Sequence, residues 1–134
     1  MSLEIALTTG LTASKNLATV GVATATKQIT MAGTGMYQQV QTIGNSAEDL
    51  GGAAGWVDIA TPGFVYVKNL DTTSNVIGID STASTLASAS GGGLIALRPG
   101  ESAVFPTRTA AISAKAFGPG AAAGVPLLVV AIEA

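Results

Sequence analysis

Charge is what this chain has least of. Only 10% of its residues are charged, while 48% are hydrophobic and the mean hydropathy is +0.51. A free soluble domain carries about 25% charged residues, which keep its surface wet and its copies apart. Cysteine and histidine are absent. Without cysteine there is no disulfide framework, no thiolate nucleophile and no Cys-ligated zinc. Without histidine the Ser-His-Asp arrangement and the imidazole general base are excluded, and a metal would have to be a hard cation held by carboxylates and carbonyls. Long apolar runs are missing too. The longest, Val125 to Ile132, is about eight residues, whereas a spanning helix needs about twenty. The apolar excess is therefore not a membrane helix, and subunit contacts are the expected cover for it.

The few charges are also dispersed. Six Lys and Arg against eight Asp and Glu give a net charge of −2, and Lys15, Lys27, Lys68, Arg98, Arg108 and Lys115 form no block. A nucleic-acid binder needs clustered cations to displace counterions from phosphates, so no nucleic-acid partner is expected. Glu4 stands where a secretory leader would have its basic segment, and no long apolar stretch follows. A cytosolic origin without secretion by that route is the expectation.

What the chain does contain is β-branched residues, small residues and turn formers. No stretch keeps an apolar stripe at helical spacing for three turns. Strand-like segments instead recur about every ten residues, the spacing of a sandwich or barrel. They are expected near Glu4–Leu7, Gln28–Met31, Tyr37–Ile43, Trp56–Ile59, Phe64–Asn69 and Val76–Asp80, then near Leu94–Arg98, Ala103–Pro106, Ile112–Phe117 and Leu127–Glu133. The fold class is all-β, an antiparallel β-sandwich or a jelly-roll-like barrel with a low-complexity N-terminal arm. Residues 1–35 form that arm or a set of peripheral strands, and 36–134 the β-sandwich domain.

Local chemistry supports particular turns. Arg98-Pro99-Gly100-Glu101 places Pro where φ near −65° is needed and Gly where φ must be positive, as in a type II turn. It is expected to join Leu94–Leu97 to Ser102–Phe105 as a hairpin. Asp71–Asn75 and Gly118-Pro119-Gly120 read as further loops. Thr8–Gly35 and Ser81–Gly93 are low in complexity, the first read as an arm that orders against a partner and the second as a mobile loop. Phe64–Lys68 and Leu127–Ile132 are apolar on both alternating sets. A strand with one wet face should alternate, so these are central strands covered on both sides, either by an N-terminal segment or by another subunit.

Chemistry-bearing constellations are scarce. Glu48-Asp49 is the one adjacent carboxylate pair; neighbours on an extended chain point apart, so a solvated loop is expected there, with a contribution to calcium binding as the alternative. Asp71, Asp80 and Glu101 read as turn and rim residues. Gly51-Gly52 and Gly91-Gly92-Gly93 lack the Gly-Lys-Ser/Thr continuation of a phosphate loop. No catalytic, cofactor-binding or metal residue is assigned and no cofactor is expected. Trp56, with Tyr37 and Tyr66, could form a sugar-stacking face in a carbohydrate-binding module, but a packing anchor is the more common fate of a lone Trp.

Thr61–Asp71, Asn75–Ile79, Leu97–Glu101, Ala114-Lys115-Ala116 and Leu127–Ala134 together resemble small β-sandwich structural proteins of tailed bacteriophages. The resemblance spans Trp56 to Ala134 and rests on the order of its β-turn-β pieces. It implies a non-enzymatic virion protein, foremost a capsid decoration or cement protein on the phage head, made in the host cytoplasm. The implied partners are the major capsid protein and further copies of the chain, with a trimer favoured, and neither nucleic acid nor membrane. A tail, baseplate or fibre-associated subunit is the alternative within the virion.

Overall fold

A computed structural model describes residues 4–15, 18–30, 35–51, 56, 59, 62–81, 86, 93–107 and 111–133. Two compact units are present, Met1–Thr34 with Ala134, and Gly35–Glu133. The chain is all-β, and the larger unit is a sandwich of two separate four-stranded antiparallel sheets rather than a closed barrel.

The smaller unit is an antiparallel ribbon of β1 (Glu4–Lys15) and β2 (Ala18–Thr30). The segment read as an arm is thus paired along nearly its whole length. The short strands expected at Glu4–Leu7 and Gln28–Met31 fall at the open end of this longer ribbon as far as Thr30, and Met31 lies outside the described residues. Its register shifts between Thr9 and Leu11, so that Thr9 stands opposite Ala25 but Leu11 opposite Val22. One extra residue on β2 reverses the side-chain alternation there. As a result Ile5, Leu7, Leu11 and Ala13 share a face with Ile29, Ala25, Val22 and Val20, although β2 reads as odd-numbered before the shift and even-numbered after it.

The sandwich contains β3 (Met36–Ile43), β4 (Glu48–Asp49), β5 (Pro62–Asn69), β6 (Val76–Asp80), β7 (Ile95–Leu97), β8 (Ser102–Pro106), β9 (Ser113–Phe117) and β10 (Val125–Glu133). One sheet runs β3-β10-β5-β8 and the other β4-β9-β6-β7. The two strands with apolar residues on both faces, β5 and β10, are the inner strands of the first sheet. Between the layers lie Ile43, Val65, Val67, Ile77, Ile79, Leu127 and Val129, all essentially inaccessible to solvent. Burying such a side chain is worth about 1.5–3 kcal/mol.

Three expectations are corrected. The Arg98–Glu101 turn forms as read, with Gly100 at φ 80° and the Glu101 amide donating to the Arg98 carbonyl at 3.0 Å. Its flanking strands nevertheless do not pair. β7 joins β6 in one sheet and β8 joins β5 in the other, so the turn is a corner between layers. Trp56–Ile59 is not a strand where it is described. The Ile59 amide donates to the Trp56 carbonyl at 3.3 Å, closing a turn. Glu48–Asp49 is a short edge strand, paired with Ser113 and Ala114, rather than a solvated loop. Most of the Ser81–Gly93 loop lies outside the described residues. Leu86 within it is fully buried, and its carbonyl accepts a hydrogen bond from Lys115 Nζ at 3.2 Å.

A polar clamp holds the layers together at one corner. Asn69, the last residue of β5, is fully buried. Its Nδ2 donates to the carbonyls of Asn75 and Leu97, both at 2.9 Å, and its Oδ1 accepts from the Asp71 amide at 2.9 Å. Its backbone also pairs with the turn, accepting from Gly100 and donating to Glu101. Buried polar atoms need such partners, and here they come from β7 of the other sheet and from the Asp71–Asn75 loop.

Candidate functional site

The alternation that fills the core from one side of the β3-β10-β5-β8 sheet sends a second set of residues outward. The register aligns them in rows across the four strands. Met36, Ile132, Phe64 and Pro106 form one row, Gln38, Val130, Tyr66 and Val104 the next, and Val40, Leu128, Lys68 and Ser102 the third. A wet sheet face would be dominated by charged and polar residues. This one carries a single charge, Lys68, at its margin. Met36 is 61% exposed, Val40 52% and Val104 41%, while the outward residues of β10 and the outward Phe64 and Tyr66 of β5 are half-buried.

The sequence chemistry explains why this face stays apolar. Both inner strands alternate two apolar sets, so whichever set enters the core, the other must face outward. Met36 and Val40 then extend the patch on β3, and Val104 extends it on β8. The β3 edge also carries no charge and no proline across Met36–Ile43, the usual devices that discourage further pairing.

The remaining candidates are placed apart. Glu48 and Asp49 point to different partners. Glu48 Oε1 accepts from the Gly44 amide at 2.6 Å, and Asp49 Oδ1 accepts from Ser113 Oγ at 3.0 Å. Asp71 is a turn organiser. Its Oδ2 accepts from the Asn75 amide at 2.9 Å, Thr73 Oγ1 at 2.9 Å, the Thr73 amide at 3.2 Å and Asn75 Nδ2 at 3.2 Å. The Asn75 backbone bond first, joined by the Thr73 bonds and the Asn75 side chain, holds its carboxyl below the usual range against an opposing desolvation. Asp80 Oδ1 accepts from the Ser81 amide at 2.7 Å, and Glu101 Oε2 from the Arg98 amide at 2.8 Å. Each carboxylate is engaged in organising its own turn or edge. Among the described residues no group of three or more acidic residues could hold a metal ion.

The aromatics do not assemble into one exposed platform. Trp56 and Tyr37 are both buried, meeting edge to face at 88° with ring centroids 5.4 Å apart. Tyr66 lies in the middle row of the outer face. Burial raises the Tyr37 phenol above its ordinary pKa, and its hydroxyl donates to Gln39 Oε1 at 2.5 Å. A separate apolar cleft of about 190 Å³ opens beside Ile79, Ile95, Phe105 and Ile112. It is smaller than the ~300–1,000 Å³ typical of small-molecule sites.

Comparison with protein-family models, with curated proteins and with solved structures finds no match to this chain.

Proposed function

We propose that this chain is a non-enzymatic virion structural protein, a decoration or cement subunit that binds the major capsid protein on the outside of a phage head. The observation that carries the reading is the outer face of the β3-β10-β5-β8 sheet. It is mostly apolar, carries one charge across its three rows, and presents Met36, Val40 and Val104 to solvent. Large apolar patches of this kind mark surfaces that meet other proteins, and on a shell these include the neighbouring copies of the chain. The low overall charge points the same way, because a surface covered by neighbours does not need charge to remain in solution. A shell also multiplies weak contacts, so each copy can be held by modest surfaces repeated many times.

The reading is tested by mixing the purified protein with heads assembled from the capsid protein of the same genome and sedimenting them. Saturable co-sedimentation at a fixed number of copies per capsid subunit is expected. Binding to purified tails instead would move the protein to the tail. Failure to bind either particle overturns the virion reading.

A further inference from the structure

The β1–β2 ribbon has two unlike faces, and the shift in its register keeps them apart. On one face stand Ile5 opposite Ile29, Thr9 opposite Ala25, Leu11 opposite Val22 and Ala13 opposite Val20, interrupted by Lys27 opposite Leu7 and by Lys15 near the turn. On the other stand Thr8 opposite Thr26, Thr12 opposite Gly21 and Ser14 opposite Thr19. Where solvent exposure is described it follows this division. Ala6, Thr8, Thr26 and Gln28 on the polar face are exposed, whereas Leu7 on the apolar face is half-buried. Thr8 and Thr26 also share a hydroxyl–hydroxyl hydrogen bond of 2.8 Å across the polar face.

A two-stranded ribbon by itself is marginal in water and needs a surface for its apolar face. The molecule holds a second apolar surface without that balance, the outer face of the β3-β10-β5-β8 sheet. We infer that the apolar face of the ribbon of one copy seats on the outer sheet face of a second copy, so that the chain self-associates by exchanging its N-terminal ribbons.

Area supports a second copy as the occupant. At a rise of ~3.4 Å per residue and a strand spacing of ~4.8 Å, a 12-residue ribbon presents ~400 Å². Four strands over the length of β3 present ~520 Å² by the same spacings. Either face falls short of the ~800 Å² per partner found in stable interfaces, but a copy that donates one and accepts on the other reaches it. Such an exchange closes as a two-fold pair or as a ring. The Lys68 stem can lie along the contact with its ammonium group at the margin.

The full chain is the test, without any capsid present, so its outcome is separate from head binding. Light scattering behind a sizing column is expected to give a discrete oligomer. Val40→Lys on the sheet face and Val22→Lys on the ribbon face are each expected to convert it to monomer with an unchanged far-ultraviolet strand signal. A monomeric wild-type protein, or an oligomer that survives both substitutions, overturns the inference. The chain has no cysteine, which allows a direct check of the contact. Mixing a Val40→Cys chain with a Val22→Cys chain under mild oxidation is expected to yield disulfide-linked pairs containing one of each. Absence of that mixed species overturns the proposed seat even if an oligomer forms.

Discussion

Asn69 Nδ2 donates to the Leu97 carbonyl at 2.9 Å, joining the end of β5 in one sheet to the end of β7 in the other. The same amide group holds the Asn75 carbonyl, and its oxygen holds the Asp71 amide. One buried side chain therefore anchors both connections that cross between layers at this corner.

Asn69→Leu is nearly the right size but can make none of these bonds. It leaves two carbonyls and one amide short of a partner in a site closed to water. Each buried unsatisfied group costs about 1–3 kcal/mol, so a loss of about 3 kcal/mol or more is expected, measured as a lowered urea midpoint. A change under about 0.5 kcal/mol, the scale of ordinary surface substitutions, would show that the clamp is dispensable.

Two glycines with positive φ should respond differently to alanine. Gly100, at φ 80°, has nothing within 4 Å of the position a Cβ would take, so Gly100→Ala carries backbone strain alone, about 1–2 kcal/mol. Gly118, at φ 127°, would place its Cβ 2.7 Å from Asn75 Oδ1. That oxygen accepts from the Gly120 amide at 2.9 Å, so Gly118→Ala strains the backbone and displaces a hydrogen-bonded side chain. Thermal unfolding of the two variants should rank Gly118→Ala as clearly the worse. Pro99→Ala, which mainly frees the unfolded chain, should cost only about 0.4–1 kcal/mol.

Asp71 makes stability depend on acid. Its carboxyl is held below its ordinary pKa by the Asn75 and Thr73 donors, so the unfolded chain binds this proton more readily than the folded one. Its contribution is then complete above the unfolded value near ~4 and fades as pH falls through the lower folded value. Asp71→Asn should be less stable than wild type at neutral pH, with the gap narrowing below about pH 4. Urea midpoints of the two proteins across pH 2–7 check the sign, and a gap that widens in acid would contradict it.

Trp56→Ala separates packing from recognition. Trp56 is buried against the Tyr37 ring, so truncation should destabilise the fold by about 3–5 kcal/mol, the usual cost of removing a large buried aromatic. Loss of retention on immobilised glycans, with full stability, would instead mark the site as a recognition surface. Calorimetry and a retention assay on the same variant distinguish these outcomes.

Much of the sandwich was legible because strands announce themselves locally. Alternation and β-branching mark β3, β5, β6, β8, β9 and β10 within a residue or two of their observed bounds. Pro99 and Gly100 specify their turn through the backbone angles they permit. The outer apolar face was legible in outline too, since Phe64–Lys68 and Leu127–Ile132 leave no polar set to turn toward water. The two-residue β4 carries too little pattern to be seen. The ribbon was obscured by small residues and by the register shift, which reverses the alternation partway along β2.

What the sequence determined by itself is therefore the class of structure and the excess of apolar surface, because both depend on residue type and spacing along the chain. Only the tertiary structure decided which strands share a sheet. The Arg98–Glu101 turn is compatible with a hairpin or with a corner, and the choice rests on β7 and β8 finding different neighbours far away in sequence. Asn69 illustrates the same limit. Its identity is plain in the sequence, but its role exists only once Asn75 and Leu97, six and twenty-eight residues later, are brought to within 2.9 Å of one amide nitrogen.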